Sequence, residues 1–445
     1  MKIFTILFTV LFVSVSYAQQ DPKVFDIIDK TSAKEIKKDI TKLVSFGTRN
    51  TFSDTTSNTR GIGAARRWLK SEYEAISKKC DGCLEVFYQS GTVTPETSNR
   101  VPKKAEVVNV VAIQRGTKYP NSYILMSGDI DSRASDTKDF TTDAPGANDN
   151  ASGLAGTIEA ARVLSQYDFE HSIVYVGLSG EEQGLFGGKF LAEYAKENDW
   201  NIIGVLNNDM IGNIKGSDGV IDNRTFRIFS EAYNPTETKR ERIMKRYYGG
   251  ENDGKSRQLA RYIHKMTKTY MPEMNPMMVY RLDRFGRGGH HKPFNDLGFP
   301  GVRIMEAHEN YAQQHQDVRK ENGIQYGDML KFVNFDYAQK LTAVNAISMA
   351  NLAWAPPKPE NVKIGGMVEG SVRLAWDAVE ADDLRGYKIY FRKTTSATWD
   401  NARFVGKKTE FTLDGIVIDN YIFGIASIDD EGHESVIVFP SEVMR

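Results

Sequence analysis

Acidic residues stand at telling points along one stretch of this chain: Asp129 and Asp131 in SGDIDSR, Asp149 in APGANDNASG, Glu181 and Glu182 in LSGEEQGLFG, and Asp209 in NNDMIG. Apolar runs at 123–126, 173–178 and 202–206 end just before Asp129, the glutamate pair and Asp209. Such runs read as buried parallel strands, and ligands of open α/β sheets bind at the carboxyl ends of strands. These carboxylates should therefore converge. Gathering them in one crevice is costly unless a cation neutralises them. A metal site is the first chemistry the residues call for.

The elements that must position this site can be read on either side of it. Ser32 and Glu35 have the spacing of a capping box, opening a helix with Ile36, Ile40, Leu43 and Val44 on its apolar face. Residues 48–63 are rich in Ser, Thr, Asn and Gly and read as loop, before a second helix carrying Ala65, Trp68, Leu69, Tyr73 and Ile76. A strand is expected at 107–113, and the periodic Leu154, Ile158, Ala161 and Leu164 mark a crossover helix between the first two acidic strands. Farther on, 225–229 and 302–305 read as strands and 257–270 and 335–354 as helices, with a polar, glycine-rich excursion over 213–250. Alternating strands and helices predict a three-layer α/β domain around a central mixed, mostly parallel sheet, spanning residues 19–355.

The chain has 445 residues, 40% of them apolar, and a formal net charge of −1. That length exceeds one ordinary core, and the balanced charge gives no reason to expect nucleic acid or an anionic membrane as partner. Lys2, an apolar run and Ser16-Tyr17-Ala18 have the form of a secretory signal peptide over 1–18, so an exported protein is expected. No apolar run is long enough to predict a transmembrane segment. Cys80 and Cys83 are the two cysteines. They follow a helical pattern rather than opening a helix after a strand, so a small structural disulfide is expected rather than a redox pair. A proline-rich linker, Ala355-Pro-Pro-Lys-Pro-Glu360, then changes the period to two: Val372, Leu374 and Trp376, then Tyr387, Ile389 and Phe391, then Tyr421, Phe423 and Ile425. Residues 356–445 are expected to form an all-β sandwich without catalytic residues, His433 being an exposed loop residue.

PGANDNASG, GEEQGLFG, NNDMIG and QHQD, in that order, resemble the co-catalytic zinc exopeptidases of the bacterial leucyl aminopeptidase type. Relatives of that group include glutamate carboxypeptidases, glutaminyl cyclases and the non-enzymatic transferrin receptors. The segment from Pro357 onward, with Trp376, GYKIYFR and DNYIFGIASIDDEGHES, resembles a fibronectin type III domain. The first resemblance implies that Asp149 bridges two zinc ions, that Glu182 and His315 complete one metal, that Asp209 serves the other, and that Glu181 is the general base. His315 is preferred over the nearby His308. Peptide or protein N-termini are then the expected substrate, with carboxypeptidase, glutaminyl cyclase (which works with a single zinc) and a non-catalytic binding protein as alternatives.

Two departures from the pattern of that group stand out. Where it has Gly-His-x-Asp, this chain has Gly128-Asp129-Ile130-Asp131, so Asp129 becomes the expected ligand and Asp131 must share a proton with it or turn to a cation. A metal held by Asp129, Asp149 and Asp209 would see only oxygen, and such a site is looser and admits manganese, magnesium or calcium. Where the group has Asp-His, this chain has His290-His291. These histidines are read as substrate contacts or as a loop pair packed on Phe294 and Tyr280, and His290 as a candidate to exchange roles with Asp129.

Overall fold

The computed structural model describes residues 21–444, so the expected signal peptide at 1–18 lies outside the described residues. Eight strands build the principal sheet: β1 Leu84–Val93, β2 Ala105–Gln114, β3 Tyr119–Asp129, β4 His171–Leu178, β5 Asn201–Asn208, β6 Thr225–Phe229, β7 Asn275–Val279 and β8 Gly301–Glu306. Their spatial order is β1-β2-β4-β3-β5-β8-β6-β7. The middle of the sheet, β4-β3-β5-β8, is parallel throughout. Antiparallel pairings flank it at β1/β2, β2/β4 and β8/β6, while β6 and β7 are parallel. The sheet is thus mixed, and parallel where the acidic residues leave it.

Burial on both faces explains why β3 and β4 read as unbroken apolar runs. Along β3, Ile124 and Met126 join the helices Ala151–Leu164 and Phe335–Trp354 in one core. Tyr123 and Leu125 point the other way, into a second core with Leu191, Ala192 and Phe294. Alternate side chains of a single strand therefore feed both cores, as the pleat requires. The helix Ala151–Leu164 lies unusually close to the sheet at its first turn. A Cβ on Gly128 would meet the carbonyl carbon of Gly153 at 2.4 Å, and one on Gly153 would meet the Asn208 carbonyl oxygen at 2.3 Å. Glycine is needed in both motifs so that the backbones bearing Asp129, Asp149 and Asp209 can approach one another.

Besides the short helices Glu181–Gly184 and His291–Asp296, three longer ones among the described residues went unread in the sequence. Pro22–Lys30 begins with Asp21 as its cap and a proline in its first turn, a start signal that was available. Lys239–Tyr248 lies in the polar stretch 213–250 and opens with a capping box between Thr238 and Glu241. Phe186–Glu197 directly follows the glutamate pair. The expected Cys80–Cys83 disulfide is present.

Residues beyond the linker form two small sheets, one of four strands and one of three. Both feed a single apolar cluster, Val372, Leu374 and Trp376 from one and Tyr387, Ile389, Phe423 and Ile425 from the other. This unit is docked, and the linker is pinned as well: His171 Nε2 lies 3.0 Å from the Ala355 carbonyl, and Ser427 donates to that of Pro357 at 2.7 Å. Asp253 is buried between Arg261 at 2.8 Å and Arg392 of the docked unit at 2.7 Å. Lys118, just before β3, reaches Asp383 at 3.2 Å. The expectation for His433 is overturned. It is 1% exposed, because Asp429 at 2.7 Å and Asp21 at 3.2 Å satisfy its two ring nitrogens and tie the first helix to the C-terminal unit.

Glu434 is the most telling of these ties, meeting Lys265 and Lys388 at 2.6 Å each. Burial alone would raise its carboxyl, but the two ammonium charges outweigh burial and hold it at about 2. A folded value below the unfolded one of about 4.3 means that the stabilisation is complete above pH 4.3 and fades as pH falls toward 2. Because both lysines keep some solvent access, Glu434→Gln is expected to cost about 2 kcal/mol at neutral pH, below the cost of breaking a fully buried pair. Urea unfolding across pH 2–7 checks this: the variant should lose the acid-limb slope that the parent shows between roughly 4.3 and 2.

Candidate metal centre

Every carboxylate singled out in the sequence leaves the same end of the sheet. Asp129 is the last residue of β3, and Asp131 lies two residues beyond. Glu181 and Glu182 open a short helix after β4, Asp209 follows β5, and Asp149 precedes the helix that starts at Ala151. His315 arrives on the loop between β8 and the hairpin of Arg319–Glu321 and Ile324–Tyr326.

One trio closes into a site. His315 Nε2 lies 2.9 Å from Asp149 Oδ2 and 3.3 Å from Glu182 Oε1. The three donor atoms lie within 4.8 Å of one another. Burial would raise Asp149, but the hydrogen bond and charge of His315, helped by Arg284 and Arg303, hold it below the usual carboxylate range. Burial would lower His315, yet the Glu182 charge and the bond to Asp149 push it up to about 10. Both shifts say that the trio wants positive charge at its centre. One imidazole nitrogen and two carboxylates is a donor set suited to catalytic zinc. His315 holds a backbone φ of +53°, a left-handed conformation that costs a non-glycine residue of order 1 kcal/mol. His308 is turned elsewhere, 2.7 Å from Asp218.

The supports of this trio include residues the sequence reading missed. Asp328 accepts from the backbone N–H of Asn148 at 2.8 Å and of Asp149 at 2.6 Å, fixing the metal-facing loop. Arg49 is buried and donates to the carbonyls of Ile130, Pro145 and Gly146, stapling the Asp131 and Asp149 loops together. Neither carries a sequence signal, since an Asp after a turn and an Arg in a polar loop read as surface. Asp131 also differs from expectation. Its oxygens accept from the backbone N–H of Glu181 at 3.3 Å and of Glu182 at 3.2 Å. It caps the turn that aims the two glutamates. Glu181 stands beside Glu182, and burial, then the charges of Glu182 and Asp209, raise its carboxyl well above the usual range.

The expected second metal position is occupied by side chains. Asp129 accepts from Asn150 Nδ2 at 2.7 Å with one oxygen and meets His290 Nδ1 at 2.6 Å with the other. Asp209 is paired with the buried guanidinium of Arg303 at 2.8 Å. Asp129 and Asp209, the expected ligands of a second metal, are thus each engaged by neighbouring side chains, whereas Asp149 faces His315. His290 and His291 are both fully buried. His291 Nε2 is bound to the Leu282 carbonyl at 2.8 Å, and burial pushes both imidazoles down to about 4.

Residues 109–334, which carry this whole constellation, match the model of peptidase family M28. The chain belongs to that family. M28 relatives extend over nearly the full chain: a probable zinc metalloprotease of Pyrenophora tritici-repentis is 38% identical over 423 residues, covering 94% of this chain and 98% of the relative. Another from Leptosphaeria maculans is 40% identical and covers 93% and 96%. Such coverage must reach well into the C-terminal unit. Among solved structures, the LapA aminopeptidase of Legionella pneumophila shares the fold at TM-score 0.53 and 16% identity, covering 79% of this chain and 80% of that one. The glutaminyl cyclase of Macrostomum lignano shares it at TM-score 0.52 and 13% identity, covering 76% and 95%. At these identities the likeness is one of fold. Family and relatives together make this an M28 metallopeptidase-type chain, whose relatives are named as zinc metalloproteases.

Replacing His315 by Ala should abolish zinc retention, while His308→Ala leaves it unchanged. Asp328→Asn, which weakens the support of a ligand rather than removing it, should lower zinc affinity about tenfold. Zinc titration against a competing chelator, with circular dichroism to verify folding, checks all three.

Proposed function

We propose that this M28 protein is an exported zinc exopeptidase that removes residues from the N-termini of peptides. The observation that carries the reading is the Asp149, Glu182 and His315 trio, with Glu181 adjacent to Glu182 on the turn that Asp131 caps. A zinc ion held by Asp149, Glu182 and His315 supplies Lewis acidity to the scissile carbonyl and to the attacking water. Glu181 takes the proton of that water and passes it to the departing amine nitrogen. Asp209 Oδ1 is buried without a hydrogen-bond partner and is an acceptor available to a substrate ammonium group. The Cys80–Cys83 disulfide agrees with work outside the cytoplasm. Among the described residues no helix is long and apolar enough to cross a membrane. In the same reading residues 356–445 form a fibronectin type III-like domain that takes no part in the chemistry.

A second reading is glutaminyl cyclisation, favoured by the one ligand trio at this end of the sheet among the described residues. A panel of aminoacyl, carboxypeptidase and N-terminal glutaminyl substrates, with and without chelator, separates the readings. Chelator-sensitive release of N-terminal residues is the expected result, and turnover confined to glutaminyl substrates would replace it by the second. Glu181→Gln should lower hydrolysis by about 10²–10⁴ with zinc content unchanged. Near-parental turnover in that variant would remove Glu181 from the mechanism.

A further inference from the structure

We propose that Arg303 takes the place of a second metal ion, so that this M28 centre works with one zinc and one built-in guanidinium. The proposal rests on the reading of Asp149, Glu182 and His315 as a zinc site and extends it to the other half of the crevice. Asp129, Asp149, Glu181, Glu182 and Asp209 all leave one end of the sheet, and their summed charge needs compensation beyond what a single dication gives.

Arg303 is built into that position. It sits on β8, beside β5 whose end delivers Asp209, and it has no solvent exposure. Nη2 lies 2.8 Å from Asp209 Oδ2. Nη1 lies 2.9 and 2.8 Å from the two oxygens of Asp283 and donates to the Gly288 carbonyl at 3.2 Å. The guanidinium is hydrogen-bonded through Nη1 and ion-paired through Nη2, and it stays charged at every pH the protein meets. Leaving the pocket would strand Asp283 as well as Asp209.

Most of the oxygens a second ion would need are engaged at the same time. A zinc bound through Asp209 Oδ2 would need that oxygen at about 2.0–2.2 Å, in the space that Nη2 fills. Asp129 spends both oxygens on Asn150 and His290. The donor groups that can converge on an ion among the described residues are Asp149 with Glu182 and His315, and the remote Asp21, Glu431 and His433. The latter is already satisfied by its own ion pairs with Asp429 and Lys23. One competing arrangement has a physical basis. His290 Nε2 and Asp209 Oδ1 are buried without hydrogen-bond partners, so these two atoms, with Asp129 orienting the imidazole, are the ones a second ion would take if Arg303 were displaced.

Metal stoichiometry of the full chain decides among these. After loading with excess zinc and desalting, native mass spectrometry should show one ion per chain, retained in Asp209→Asn and His290→Ala and lost in Asp149→Asn. Arg303→Met should lower the thermal midpoint, and millimolar manganese should restore it in that variant while leaving the parent unmoved. Arg303→Lys should need no such rescue. Two ions in the parent, falling to one in His290→Ala or Asp209→Asn, would overturn the proposal while leaving the zinc reading intact. An Arg303→Met protein as stable as the parent and indifferent to manganese would overturn it too. No zinc in a folded parent would overturn both it and the reading on which it rests.

Discussion

Convergence of negative charge at one end of a parallel sheet is the constraint on which the rest of this structure depends. Strands that run side by side in the same direction must deliver whatever follows them to the same place, and here β3, β4 and β5 are each followed by carboxylates. In a low-dielectric interior such a group survives only with compensating charge. The surroundings answer with buried cations: Arg303 against Asp209, Arg284 close behind, and Arg49 within reach of Asp131, Asp149 and Asp328. The glycines at 128 and 153 belong to the same account, because the carboxylates meet only if the backbones beneath them nearly touch.

Much of this was legible in the residues. The central strands and the long helix Phe335–Trp354 announce themselves by uninterrupted or periodic apolarity, which is how doubly buried elements must be composed. The trio Asp149, Glu182 and His315 could be picked out because motif and position coincide. What could not be read were pairings set by the third dimension. Nothing local says that Arg303, in an otherwise apolar strand, turns to Asp209 and Asp283, or that His290 sits 2.6 Å from Asp129 across 161 residues of sequence. For the same reason His433 looked like a surface residue, since Asp21 and Asp429 approach it only after the two parts of the chain have docked.

Exchange of acid and imidazole between positions 129 and 290 is instructive about what such sites tolerate. The pair keeps one carboxylate and one imidazole in a buried hydrogen bond, so its volume and polarity survive the exchange. Its direction does not. The ring now reaches in from the start of the helix His291–Asp296 instead of from the end of β3, and the strand end presents oxygen to Asn150.

The docked C-terminal unit touches the chain where the parallel strands begin, with Tyr119 and Lys118 reaching Glu380 and Asp383, whereas the metal-facing residues sit where those strands end. Eleven residues of β3 separate the two, which at about 3.3 Å per residue is roughly 30 Å of stiff spacer. The C-terminal unit is therefore stationed at the pole of the sheet opposite the metal-facing residues, and the strands themselves keep the two apart.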